Sequence, residues 1–393
     1  MQRRDILKAL AALPLAAPAG RLLATPATQP RLLLVFLRGG YDAANLLVPL
    51  GSQFYYEARP NIAIARPGPE TNAALALDAD WGLHPALRES IYPLFNAGQA
   101  AFIPFAGSTD VSRSHFETQD SIELGQDIDG RRDYRSGFLN RLAQTLNGGA
   151  IAFTDQLPLI MQGAAQVPNM ALRGIGKPGL DARQSRIVAA MYKGGALERQ
   201  VSEGFVVRAD VMRELNGEME AANRNAISAK GFELEARRIA RLMKDKYRIG
   251  FVDVGGWDTH VGQGGASGYL AGRFEELGRG LAAFAQEMGE DWRDTITVVV
   301  SEFGRTFREN GNRGTDHGHG SVFWVLGGGL RGKRIVGEQQ RVEAATLFQK
   351  RDFPVLNEYR AVLGGVFARL YGLSPAQGQQ VFPGSTPKDI GLV

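Results

Sequence analysis

The chain of 393 residues contains no cysteine. Disulfides, thiolate metal sites and cysteine nucleophiles are therefore excluded, and any bound metal must rest on nitrogen and oxygen ligands. Histidine is scarce as well: His84, His115, His260, His317 and His319 are the whole supply. Charge of one sign never accumulates. The 45 basic and 41 acidic side chains leave a net charge of +4 without long basic runs, which argues against a nucleic-acid partner. No apolar stretch is long enough for a permanent membrane span. Internal repeats and low-complexity tracts are missing too.

What is present fits a large globular α/β protein. Hydrophobic residues make up 44% of the chain, enough for a sizeable core, and 49 glycines point to many loops rather than to disorder. Residues 1–27 stand apart. Arg3-Arg4 precede an apolar pair and Lys8, a mild apolar segment follows from Ala9 to Ala17, and small residues surround Pro18 and Ala24. This pattern resembles a bacterial twin-arginine export signal, with the translocation machinery as partner and the periplasm as destination.

The rest, 28–393, reads as one domain of alternating strands and helices, with a helical insertion or cap over 181–247. Continuous apolar runs mark buried central strands at Arg31–Leu37, Tyr247–Val254 and Thr295–Val300. Shorter strands are expected at Ala101–Phe105, Ala150–Phe153, Leu157–Met161 and Ser321–Leu326. Helices are expected over Ala86–Asn96, Tyr134–Leu146, Gly268–Met288 and Leu356–Leu370. Alternation of this kind predicts a layered α/β domain with a mostly parallel sheet.

Chemistry-bearing residues follow the strands. Gly39-Gly40-Tyr41-Asp42 closes the first run, and Gly255-Gly256-Trp257-Asp258-Thr259-His260 closes another. Residues two apart in an extended segment point the same way, so Asp258 and His260 can reach one ion. Between the last two strands, Ser301–Gly320 carries Glu302, Asp316, His317 and His319 on a glycine-rich connection. The segment Asp110–Asp120 opens like a helix, with Ser112 or Ser114 either capping it or gaining nucleophilicity there. His84 reads as a capping or structural residue. Together the strand-end groups suffice for two adjacent cations and a hydroxyl nucleophile, and two cations about 4 Å apart stabilise attacking and leaving oxygens in phosphoryl or sulfuryl transfer.

The twin-arginine start, LLLVFLRGGYDAANLLVPL, GLHPAL, SRSHFETQD, GGWDTH, SEFGRTFRENGNRGTDHGHG and the VLGGG that follows resemble the bacterial family known as domain of unknown function 1501. That family is grouped with the alkaline phosphatase, sulfatase and phosphoglycerate mutase superfamily. The resemblance implies a three-layer α/β/α sandwich and a di-metal hydrolase site, but no substrate. By this likeness Asp42 matches the first-strand metal aspartate, Ser114 the nucleophile, Asp258 and His260 an acid–imidazole pair, and His317 or His319 the late histidine. Glu302 stands near an expected Asp-His pair, with Phe303 where the histidine would be. No sulfatase-type Cys/Ser-x-Pro-x-Arg sequence surrounds Ser114.

The resulting expectation is an exported metal-dependent hydrolase of a small-molecule phosphate or sulfate ester. Ser114 is the nucleophile, and Arg113 or Arg305 clamps the non-bridging oxygens. Asp42, Glu302 and an imidazole hold one ion; Asp258, His260 and His317 or His319, beside Asp316, hold the other. Zinc, manganese, magnesium and iron are not distinguished. The alternatives are a catalytically degenerate metal-binding scaffold of the cell envelope, and a mononuclear hydrolase built on the His-Gly-His element.

Overall fold

The computed structural model describes residues 30–172, 182–195, 197–201, 203 and 231–393. The N-terminal segment 1–27 and much of the expected insertion at 181–247 lie outside the described residues.

Eleven strands are described: β1 Arg31–Leu37, β2 Leu47–Pro49, β3 Leu75–Ala76, β4 Trp81–Leu83, β5 Ala100–Gly107, β6 Ala150–Ala152, β7 Ile249–Val254, β8 Thr295–Ser301, β9 Ser321–Gly327, β10 Arg334–Ile335 and β11 Asn357–Glu358. The main sheet has the order β10-β5-β9-β8-β1-β7-β6, with β11 pairing β5; β2, β4 and β3 form a small antiparallel sheet. In the main sheet β1 pairs in parallel with both β7 and β8, and only β9 runs against its neighbours β5 and β8.

The apolar run of β1 is explained by its position. Leu33, Val35 and Leu37 face one core, while Leu32, Leu34 and Phe36 face the other. A strand buried on both faces has no solvent side on which to alternate. One core is closed by the helices Phe232–Asp245 and Tyr269–Met288, through Ile239, Met243, Phe274 and Leu281. The other is closed by Phe138–Thr145 and Tyr359–Tyr371, through Leu139, Leu142, Val362 and Phe367. The architecture is the three-layer α/β/α sandwich with a mostly parallel sheet. The final helix of the segment 181–247 thus belongs to a layer of the sandwich.

Two expectations need correction. Leu157–Met161 is not a strand: Pro158 lacks an N–H for a ladder, Leu159–Met161 forms a 3₁₀ turn, and the Ile160 N–H donates to the Glu123 carboxylate at 3.0 Å. The expected helix at Ala86–Asn96 is broken into a 3₁₀ turn, Pro85–Leu87, and a short helix, Ile91–Asn96. His84 caps that turn, its Nδ1 accepting from the Ala86 N–H at 3.1 Å.

Strand direction places the site. β1, β5, β7 and β8 all point their carboxyl ends at one edge. Because β9 returns antiparallel beside β8, the connection 302–320 stays at that edge. No helix among the described residues is long and apolar enough to cross a membrane.

Candidate metal centre

Four segments meet at this edge. The loop after β7 brings Asp258 and His260, and the connection from β8 to β9 brings Glu302, Asp316 and His317. β5 leads to Ser114, the N-cap of the helix His115–Leu124. β1 leads to Gly39, where a Cβ would lie 2.7 Å from the Asp258 nitrogen; only glycine permits this approach, at φ +125. Gly314 is equally constrained, because a Cβ there would collide with the His260 carbonyl.

Three imidazoles surround Asp258. Its Oδ1 lies 2.9 Å from His260 Nε2 and 3.2 Å from His317 Nε2. Its Oδ2 lies 3.5 Å from His115 Nε2. The His260 and His317 Nε2 atoms are 3.1 Å apart.

The outer nitrogens fix the tautomers, since a carboxylate or carbonyl oxygen accepts and cannot donate. His115 Nδ1 donates to Glu302 Oε1 at 2.9 Å, His260 Nδ1 to Asp316 Oδ1 at 3.1 Å, and His317 Nδ1 to the Arg113 carbonyl at 3.0 Å. Each neutral ring therefore turns an Nε2 lone pair inward. Two lone pairs facing each other at 3.1 Å repel unless positive charge lies between them.

This arrangement fits a metal. Tetrahedral bonds of about 2.0–2.1 Å give ligand–ligand edges of about 3.3 Å, and the observed separations run from 2.9 to 3.5 Å. His115, Asp258 and His317 form the one group of three such residues within 4.8 Å of one another among the described residues. His260 adjoins two of them. Ring nitrogens tied from behind by carboxylate or carbonyl are the usual support for metal-bound histidine.

The electrostatics agree. Burial alone would push Glu302 up, but hydrogen bonds from His115, Gln119 and the Gly39 N–H outweigh it and hold the carboxyl below its usual range. Asp258 is also held low: burial opposes, and the Arg305 guanidinium, 2.6 Å from Oδ1, prevails. Burial lowers His317, which favours its neutral form, whereas the Glu302 hydrogen bond raises His115, which favours its protonated form in the absence of an ion.

Other expected site residues are placed differently. Asp42 is 1% exposed and ion-paired with Arg59 at 2.6 Å, and it accepts from Gln263 Nε2 at 2.6 Å. It contributes no atom to the cluster. Glu302 stands behind His115: Oε1 takes three donors and Oε2 takes the Ser301 hydroxyl. His319 faces away against Phe348, and burial followed by the Arg113 charge pushes it down to about 4. Ser114 Oγ caps its helix by accepting from the Glu117 N–H at 3.5 Å.

Neither arginine is free. Arg113 pairs with buried Asp352 at 2.7 Å and bonds Gln349, while Arg305 is spent on Asp258 and Thr315. His115 is the candidate ligand that sequence reasoning left out, although it directly follows the serine it singled out. Arg38 was also missed. It borders a cavity of 390 Å³ over Asp258 and His260 and an adjoining one of 490 Å³. A larger cleft of 680 Å³, near Trp81 and Gln339, touches none of these side chains.

The fold and the cluster define a class: an α/β sandwich with a histidine–aspartate cluster that could hold a metal ion at the carboxyl edge of its sheet. Residues 29–382 match the family described as Protein of unknown function (DUF1501), and the chain belongs to that family. None of the curated proteins is similar to it. Among solved structures, Ps i-CgsB in complex with k-i-k-neocarrahexaose is 10% identical at a TM-score of 0.38, covering 89% of this chain and 74% of that one. A protein in the alkaline phosphatase superfamily from Vibrio parahaemolyticus is 10% identical at a TM-score of 0.36, covering 78% of this chain and 62% of that one. Likeness at this level bears on neither activity nor ligand.

Proposed function

We propose that the protein is an exported, metal-dependent hydrolase of phosphate or sulfate esters that uses one divalent cation. The observation that carries this reading is the convergence of three imidazole Nε2 atoms on the Asp258 carboxylate, each ring oriented from behind. His115, Asp258, His260 and His317 would hold the ion, which when bound supplies Lewis-acid polarisation of a substrate oxygen. One ion is favoured over two because Glu302 spends both oxygens on protein donors, while Asp42 spends Oδ2 on Arg59 and Gln263 and joins no group of candidate ligands among the described residues.

The chain's own groups set the rest. Glu302 fixes the His115 tautomer and Asp316 that of His260. Ser114, one residue before His115, offers the hydroxyl. Its attack forms an O–P or O–S bond, breaks the ester bond and leaves the serine proton on the departing alcohol; water then releases the acid. Export rests on the twin-arginine pattern within residues 1–27.

A second reading has its own support. Ser114 is engaged as a cap and both expected clamps, Arg113 and Arg305, are committed to carboxylates. In that case the ion stabilises an envelope protein that binds a partner and turns nothing over.

One experiment separates the two. Metal content is measured on purified protein, followed by turnover of 4-nitrophenyl phosphate, bis(4-nitrophenyl) phosphate and 4-nitrophenyl sulfate. The expected result is metal-dependent turnover that disappears in both His317→Ala and Ser114→Ala. Turnover lost only in His317→Ala removes the serine from the mechanism. A bound ion without turnover supports the envelope reading, and protein that takes up no ion sinks both.

A further inference from the structure

We propose that Gln263 is the positioning residue that sets the spacing between the two loops carrying the metal-ligating side chains, an inference that rests on the cation site above. Asp258 and His260 lie on the loop after β7; Asp316 and His317 lie on the connection entering β9. Three of the four proposed ligands, Asp258, His260 and His317, lie on these two loops and must keep separations of about 3 Å for one ion to see them together. A device that ties these loops therefore acts on affinity directly.

The two loops are laced by their backbones. The Thr315 N–H donates to Thr259 O at 3.0 Å, Gly262 N–H to Asn312 O at 2.9 Å, and Gln263 N–H to Arg313 O at 3.0 Å. Gln263 adds a side chain bonded to both loops, as those of Arg305 and Asn310 also are. It is fully buried. Its Oε1 accepts from Thr259 Oγ1 at 3.1 Å and from Thr315 Oγ1 at 3.0 Å. Its Nε2 donates to Asp42 Oδ2 at 2.6 Å. Thr259 sits between Asp258 and His260, and Thr315 immediately precedes Asp316 and His317.

Arg305 donates toward both ends of the network. Arg305 Nε donates to Thr315 Oγ1 at 3.3 Å, which leaves the hydroxyl hydrogen for Gln263. Arg305 Nη1 donates to Asp258 Oδ1 at 2.6 Å. A continuous line thus joins Asp42, Gln263, Thr315, Arg305 and the ligand Asp258. The anchor is the buried Asp42–Arg59 pair, where Oδ2 takes both donors and Oδ1 has no partner among the described residues.

Only a neutral amide serves here, because it needs an acceptor for two hydroxyls and a donor for a carboxylate. Glutamate would turn a second carboxylate oxygen toward Asp42. Leucine would leave two buried hydroxyls without an acceptor and Asp42 with one donor fewer. The sequence prediction that Asp42 serves the metal is recast: it reaches the site through Gln263 and not as a ligand.

The test uses cobalt(II) as the probe, titrated into metal-free full-length protein and followed by its visible d–d absorption, so no turnover is needed. Gln263→Leu is expected to weaken cobalt binding about 10- to 100-fold, the range for residues behind a metal ligand, and to change the band shape. Thr315→Val, nearly isosteric, is expected to shift affinity in the same direction by less. Asn140→Leu is the control for a merely structural effect: Asn140 is 1% exposed, bonds Met161 O and Ala165 O, and packs in the opposite core, so its loss should lower stability but leave cobalt affinity within twofold. Affinity unchanged in both Gln263→Leu and Thr315→Val, or lowered equally by Asn140→Leu, overturns the proposal. If Gln263→Leu fails to fold, Thr315→Val decides alone. Wild-type protein that binds no cobalt overturns the cation site and the clamp together, whereas wild-type binding with indifferent variants overturns only the clamp.

Discussion

Two neighbouring strands end in nearly the same words. β1 runs into Gly39-Gly40-Tyr41-Asp42, and β7, its parallel neighbour, into Gly255-Gly256-Trp257-Asp258. The two aspartates nevertheless have opposite fates. Asp42 is sealed at 1% exposure against the Arg59 guanidinium, while the Asp258 side chain is 43% exposed and ringed by imidazoles. Local sequence delivers an acid to the sheet edge in both cases. What each acid then does is decided by what else arrives: an arginine 17 residues on in one case, and Arg305 together with histidines from three separate segments in the other. Asp42 has a buried guanidinium and an amide for its partners; Asp258 has the Arg305 guanidinium and, in addition, three imidazole Nε2 atoms within 3.5 Å.

This contrast can be broken from either side, starting with the largest effect. Arg59→Met strands a buried carboxylate and should cost about 3–5 kcal/mol of stability, measured by denaturant unfolding. Removing Asp42 as well, as Asp42→Asn in the same chain, should recover part of that loss. If Arg59→Met unfolds as readily as wild type and no more, the pair is not the anchor described here.

The second effect is on pH dependence. Burial pushes His84 down from 6.5 to about 4, against the opposing pull of Asp42. The unfolded chain therefore takes up the proton first as pH falls. Stability from this residue is complete above about pH 6.5 and is lost as pH drops through about 4, by about 3 kcal/mol in all. Unfolding free energies measured across that window should flatten in His84→Asn. A slope equal to wild type would show that the histidine titrates normally.

Third, His317→Ala should weaken metal binding by at least about 100-fold, beyond what changing a residue behind a ligand achieves. The metal-free variant should unfold close to wild type, since the His317 side chain is 27% exposed. Calorimetry with zinc and a melt in chelator check both halves. The smallest effects come from the glycines. Gly39→Ala meets the Asp258 nitrogen at positive φ and should cost about 1–3 kcal/mol. Gly255→Ala meets nothing within 4 Å and should stay within about 0.5 kcal/mol of wild type. Equal costs at the two positions would mean that the two turns are packed alike.

Much of this was readable in advance, for reasons that differ by residue. Leu32 to Leu37 announce a strand buried on both faces because no polar residue interrupts them. Asp258, His260 and His317 stood out because acids and imidazoles recur at strand ends. His115 did not, since its partners Glu302 and Asp258 are more than 140 residues away. Leu157–Met161 looked like a strand because apolar residues outweighed the single proline.

Periodicity, strand-end turns and the absence of cysteine come from each residue's own chemistry and its near neighbours, so the chain alone determined the layered fold, the functional edge and a nitrogen–oxygen ligand set. The choice between Asp42 and Asp258, the exclusion of His319 and the recruitment of His115 depend on which side chains from distant segments arrive within about 3 Å. Such distances arise only when the sheet closes and its loops pack against one another, so only the tertiary structure decided them.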